Sequence, residues 1–232
     1  MDYMKNVEIV ESFEREINKL DDGVNKPNTE DSLFWLNQAV TKFMKLRFNG
    51  DFVHKTSYEE NEKRREDLIN LFKEVDLTAS SPVTNEDYVE YSYTYPTDLM
   101  FILNEDVIIS DTNNENKKHV SVFECTQDSF MYRIMNGLTD FHYKYKYARP
   151  LRIRNASGCK LLTDGKYLIK KYTIGYLRFP TEIKLGTNYN DDYTWFSKQT
   201  MYEIVKIAAQ MYIENVSDPR YRTISAEVNT QE

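Results

Sequence analysis

An upstream carboxylate followed by an acid-x-lysine pair on a strand can hold a divalent cation and polarise a water, which is the chemistry of a nuclease-like site. In this sequence Asp164 and then Glu182-Ile183-Lys184 stand in that order. The pair comes just after Pro180, at a predicted strand exit rather than inside a strand, and acid-x-lysine arises by chance in most charged chains. Other reaction chemistries lack their residues. There is neither a glycine-rich nucleotide fingerprint nor a phosphate-cradling loop ending in lysine-serine or lysine-threonine. His54, His119 and His142 are far apart, and none has a second metal ligand at the three-to-five spacing of a helix-borne zinc site. No serine carries the flanking glycines of a nucleophile elbow. Cys125 closes the apolar alternation of Val120 and Val122 and reads as a small buried side chain. Cys159 lies 34 positions further on, without the paired spacing of a zinc site or a disulfide framework, which fits a reducing compartment. Paired acids such as Asp21-Asp22, Glu59-Glu60 and Asp191-Asp192 fall at helix ends or in loops, where solvation and the helix dipole account for them. No catalytic, metal-binding or cofactor-binding residue is expected.

Charge is more informative than any motif. The chain has a formal charge of −7, yet from Phe141 to Arg178 ten bases face one acid, Asp164. Within that stretch Phe141, Tyr143, Tyr145 and Tyr147 alternate with basic residues, so it could neutralise phosphates and stack on bases. That reading makes the protein a DNA-binding protein or a DNA-acting enzyme using segment 141–178. The competing reading is a strand-rich segment whose basic outward face meets an acidic neighbouring subunit. The net acidic charge favours the second, because long-range repulsion opposes approach to a polyanion.

The elements that must position these residues follow from periodicity. The chain is 232 residues long, 41% hydrophobic and 14% aromatic, with 18 Tyr and 12 Phe, enough to bury a core. It has no apolar run of the ~18 residues that a membrane helix requires and no charged-then-apolar leader, so it is expected neither to span a membrane nor to be exported. Val10, Phe13, Ile17 and Leu20 predict a first helix. Leu33, Leu36, Val40, Phe43 and Leu46 predict a second, capped by Thr29 or Asp31. A capping box, Ser57 to Glu60, predicts a third that continues through Leu68, Leu71, Phe72 and Val75. From Tyr88 the period changes to two, predicting strands at 88–94, 100–103, 107–110, 120–125, 151–154, 160–162 and 167–179. A helix capped by Thr126, with Phe130, Ile134 and Leu138 on one face, interrupts them, and a last helix runs from about Lys198 to Val216, ahead of Asp218-Pro219. The expected fold class is α+β: an N-terminal helical bundle plus an antiparallel β domain with an inserted helix and a C-terminal helix. The regions are a helical 1–80, a β-rich 81–185, a C-terminal helix at 186–217 packing on the bundle, and an extended arm at 218–232.

Several segments carry a family resemblance. Ile174-Gly175-Tyr176-Leu177-Arg178-Phe179-Pro180 resembles a strand ending in tyrosine, a basic residue and proline in structural proteins of tailed bacteriophages. It is followed by Asn190-Asp191-Asp192, the aromatic pair Trp195-Phe196, a helix from Met201 to Ile213 with Glu203, Ile204 and Ala208, and a tail Val216-Ser217-Asp218-Pro219-Arg220-Tyr221. Upstream, the start from Leu33 to Leu46 and Tyr95-Pro96-Thr97-Asp98-Leu99 agree with the same layout. Together they are similar to the head-to-tail connector or tail ring (adaptor) proteins of short-tailed phages, most like those of crAss-like phages infecting gut Bacteroidales. The resemblance implies a structural virion protein forming a homo-oligomeric ring, commonly of twelve subunits. Its partners would be the portal protein and other tail ring proteins, with DNA passing through the channel without sequence-specific binding and no membrane contact. Localisation would be the virion, after assembly in the host cytoplasm. Candidate interface residues are Arg149, Arg152 and Arg154 in the basic stretch and Arg220, Tyr221 and Arg222 in the arm.

Overall fold

The computed structural model describes residues 2–18, 27–49, 62–113, 116–135, 148–186 and 189–216. They form an α+β fold in two compact units, one comprising Met1–Leu71 with Pro180–Glu232 and the other Phe72–Phe179.

The first unit is helical: α1 (Asn6–Asn18), α2 (Thr29–Asn49), α3 (Glu62–Leu68) with a 3-10 turn at Ile69–Leu71, and α5 (Lys198–Val216). Residues at spacings of three and four put Ile9, Val10, Phe13 and Ile17 of α1 in the core with Leu36, Val40, Phe43 and Met44 of α2. From α5 come Ile204, Val205, Ala208, Tyr212 and Ile213. Leu46, expected in the α2 stripe, is 40% exposed; Arg47 is buried instead. The α2 cap is Asn28 rather than Thr29 or Asp31: its Oδ1 accepts the Asp31 N–H at 2.7 Å, leaving Thr29 as the first helical residue. Ser197 does the same for α5, accepting the Thr200 N–H at 3.2 Å. Asn37 fastens the chain that returns from the β unit, donating to the Ile183 carbonyl at 3.2 Å and accepting the Ile183 N–H at 2.9 Å.

The second unit begins earlier than periodicity predicts. Phe72 and Val75, assigned above to the third helix, belong to strand β1 (Phe72–Leu77), which pairs antiparallel with β9 (Tyr167–Arg178) along six residues. Leu68, Leu71, Phe72 and Val75 have helical spacing, but the ladder offered by β9 overrides that local preference. The capping box at Ser57 and Glu60 lies outside the described residues. The remaining elements are β2 (Val83–Thr84), β3 (Val89–Thr94), β4 (Leu99–Asp111), β5 (Lys118–Val120), β6 (Phe123–Glu124), α4 (Phe130–Met135), β7 (Leu151–Arg154) and β8 (Gly158–Thr163). Two expected strands at 100–103 and 107–110 are the single strand β4, which absorbs register shifts against β9. The expected strand at 120–125 is instead two short ones in different sheets.

The sheets run β1-β9-β4-β5 and β2-β3-β8-β7-β6. Among the described residues all pairings are antiparallel except β6 with β7. Their inward faces share one core of Tyr91, Tyr93, Val107, Ile109, Cys159, Leu161, Tyr167, Tyr172, Ile174 and Tyr176. Tyr93 of one sheet meets Tyr172 of the other edge to face, with ring centroids 4.9 Å apart. A second, smaller cluster of Cys125, Leu151, Ile153 and Leu162 lies on the other face of the five-stranded sheet, where Phe130 and Ile134 of α4 cover it.

Candidate functional site

The residues of the nuclease-like constellation have ordinary local roles. Asp164 sits in the β8–β9 turn, where its Oδ1 accepts the Lys166 N–H at 3.0 Å, and burial raises its pKa above the usual carboxylate value. Glu182 and Lys184 lie on the exposed chain after β9 and pair with each other at 3.0 Å. Among the described residues no group of three or more His, Cys, Asp or Glu side chains could hold a metal ion. His119 is exposed on β5, its Nδ1 2.7 Å from Asp106 Oδ2; His54 and His142 lie outside the described residues. Both cysteines are buried and free.

Strand pairing changes the meaning of the basic stretch. Strands β7, β8 and β9 carry six of its ten bases, and the strands beside or across from them carry acids. Lys160 of β8 pairs with Glu90 of β3 at 2.9 Å, and Lys171 of β9 with Asp76 of β1 at 2.9 Å. Arg152 of β7 meets Glu124 of β6 at 2.7 Å and reaches across the sandwich to Glu105 of β4. Between Phe72 and Phe179 the sequence holds fourteen acids and fourteen bases, so the whole charge of −7 resides in the helical unit. For these three bases the acidic counterpart is thus in the same unit.

The six candidate interface residues separate accordingly. Arg149 is exposed at the entry to β7, and Arg154 is exposed at its far end, its guanidinium 5.9 Å from the Tyr95 ring centroid. At ~3.3 Å per residue the two are ~16 Å apart along the chain. Arg152 between them is 6% exposed. Arg220, Tyr221 and Arg222 lie outside the described residues.

Sequence reasoning missed the polar network around Arg152. The Tyr172 hydroxyl donates to Glu105, and the Cys159 thiol lies 3.7 Å from that hydroxyl. Burial first, then the neighbouring thiol and carboxylate, push the Tyr172 phenol far above its ordinary pKa. The same burial raises the pKa of Cys159, which keeps it a thiol and a poor nucleophile. For Arg152 burial opposes the charge, but the hydrogen bond and charge of Glu105 outweigh it and the pKa is raised. The signal was available: Arg152 lies between Leu151 and Ile153, and Glu105 is two residues from Val107, both on strands that are half apolar. What it lacked was the second sheet.

The helical unit holds a comparable cluster. Arg47 of α2 is buried, with Nε 3.0 Å from Asp67 of α3 and Nη2 2.5 Å from Glu203 of α5; Lys63 reaches Glu203 at 3.1 Å and Thr200 donates to Asp67 at 2.9 Å. Burial raises the Asp67 pKa, with Thr200 and Arg47 opposing. Beside it is an open concavity of about 440 Å³ lined by Glu62, Glu66, Asp67, Gln199 and Thr200 among others.

Both clusters tie elements together, one joining strands of the two sheets and the other joining helices of the helical unit. A search of the curated proteins returns no relative. Residues 4–208 match a family model described as Phage tail ring protein 3/4. That match runs from the start of the helical unit, through all of the β unit, to the middle of α5. The chain belongs to the phage tail ring protein family.

Proposed function

We propose that this chain is a non-enzymatic subunit of a homo-oligomeric ring, commonly of twelve copies, in the head-to-tail connector or tail of a short-tailed, crAss-like phage. The ring joins the portal protein to further tail rings, and DNA passes through its channel without sequence-specific contact. The single observation that carries the reading is the family match over residues 4–208. The internal pairing of Arg152, Lys160 and Lys171 agrees with it, since acids of the same unit already offset the charge of three bases that a DNA-binding reading would need. Exposed Arg149 and Arg154, and the arm with Arg220, Tyr221 and Arg222, are the proposed contacts with neighbouring copies or rings.

The test is mass photometry and electron microscopy of the protein mixed with the portal and tail proteins encoded beside it. Closed rings are expected in the mixture; particles that never exceed one or two copies under every combination would overturn the reading. Removing Arg220 to Glu232 is expected to leave the monomer folded, with unchanged circular dichroism, while weakening attachment to the partner ring. Equal attachment with and without those residues would remove the arm from the interface.

A further inference from the structure

We propose that residues Phe123 to Met135 form a strap that lifts from the β unit as one piece, uncovering the apolar outer face of the five-stranded sheet while the sandwich beneath stays folded. The strap is lightly attached. β6 has two residues and is an edge strand, pairing parallel with β7. Its backbone is fixed by the Phe123 N–H to the Pro150 carbonyl at 3.0 Å and the Cys125 N–H to the Arg152 carbonyl at 2.9 Å. An ion pair to the sheet runs from Arg152 to Glu124, whose side chain is 63% exposed. Val122, just before it, packs on the main core, but from Phe123 onward the apolar footing is the smaller cluster: Phe123, Phe130 and Ile134 are only partly buried against Leu151, Ile153 and Leu162, and Phe130 meets the Tyr88 ring edge to face. On the far side of α4, Met131 and Met135 are exposed.

The strap is braced within itself, which is why it should move as a unit. The Arg133 guanidinium lies over the Phe123 ring, 4.5 Å from its centroid, joining α4 to β6. The Thr126 and Ser129 hydroxyls are 2.7 Å apart, and the Ser129 N–H donates to the Thr126 carbonyl at 3.2 Å. β9, by contrast, is paired on both sides, and its inward residues lie in the main core. Elements with few buried contacts and short ladders open at lower free energy than the core they cover.

The two cysteines report on this directly, because Cys125 belongs to the strap and Cys159 to the main core. The experiment is thiol labelling of the full chain in native buffer, read by peptide mass spectrometry, beside amide hydrogen exchange. Cys125 is expected to label at least ~100-fold faster than Cys159, and the amides of Phe123, Cys125 and Arg133 to exchange together, well ahead of those in β9. Glu124→Gln should speed Cys125 labelling by ~2- to 5-fold, the effect of one exposed ion pair, and leave Cys159 unchanged. Equal labelling of the two thiols would overturn the proposal, as only global unfolding would then expose either. So would rapid Cys125 labelling with strap amides as protected as those of β9, or strap amides exchanging at unrelated rates.

Discussion

Arg152 shows how much a single position can change meaning between chain and fold. Its guanidinium joins Glu105 of one sheet to Glu124 of the other, with side-chain exposures of 7% for the arginine and 15% for Glu105. Removing one member of such a pair leaves a buried charge without compensation, so Arg152→Ala should destabilise the protein by about 3 kcal/mol, whereas Arg152→Met with Glu105→Leu should cost less than either change alone. Urea unfolding of the four variants measures this, and additive effects would deny the coupling. Arg149→Ala and Arg154→Ala, at exposed sites, are expected to stay within about 0.5 kcal/mol of the parent. A second prediction concerns Asp67. Its pKa is raised in the folded protein, so the folded state takes up a proton at higher pH than the unfolded chain does. Stability relative to Asp67→Asn should therefore be constant above the folded pKa and rise as pH falls through it towards the ordinary carboxylate value. A difference that shrinks on acidification would show that pairing with Arg47, not burial, governs the group. Neither cluster was legible as a cluster beforehand: the apolar neighbours of Arg152 and Glu105 signal burial of each, but composition does not show that β3, β4 and β6 bring acids alongside the bases.

Among the elements, β9 is the one on which the β unit depends, and it hides its own pattern. Tyr167 and Ile169 face the core, then Tyr172, Ile174 and Tyr176 do; the inward set changes from odd to even positions. The register against β4 explains it, because Ile109 pairs with Ile169 and Ile108 with Lys171, leaving Lys170 as the extra residue of a bulge. Alternation was therefore readable in each half of the strand and not across it. The same holds at the third helix, where Phe72 and Val75 have helical spacing, Val75 and Leu77 have strand spacing, and only the partner strand decides. The helices α1, α2 and α5 were legible because their apolar stripes meet one another within one unit. A sharper test of element geometry lies in two strand glycines. A Cβ at Gly158 would stand 1.9 Å from the Tyr93 carbonyl oxygen, a backbone atom fixed by the β3–β8 ladder, whereas one at Gly175 would meet the Asn104 side-chain amide oxygen at 1.8 Å. The backbone cannot yield but the end of an exposed side chain can. Gly158→Ala is thus expected to cost about 3 kcal/mol and Gly175→Ala about 1 kcal/mol, by thermal or urea unfolding. The reverse order would mean that β3 and β8 are not in the described register.

At the scale of the whole molecule the question is where the charge goes. A ring through which DNA passes must not bind it tightly, and a surface of net negative potential serves that end by long-range repulsion. The sequence places ten bases in one run, but three of them are held by acids of the same unit, which is neutral in sum, while the helical unit carries the entire excess of acid. Arg149, Arg154, Lys166 and Lys170 are exposed and have no ion pair among the described residues, and Lys144 and Lys146 lie outside those residues. These bases act inside a chain of net charge −7, and each phosphate neutralised contributes ~0.9 to the slope of log affinity against log salt. Fluorescence anisotropy with a labelled duplex should accordingly show binding weaker than ~10⁻⁵ M at ~0.15 M salt, within the range of non-specific association, and magnesium should produce no cleavage. Nanomolar affinity with a steep salt slope, reduced by Arg149→Ala and Lys170→Ala, would instead make the basic run a DNA surface. Cleavage abolished by Glu182→Ala would go further and make the protein an enzyme.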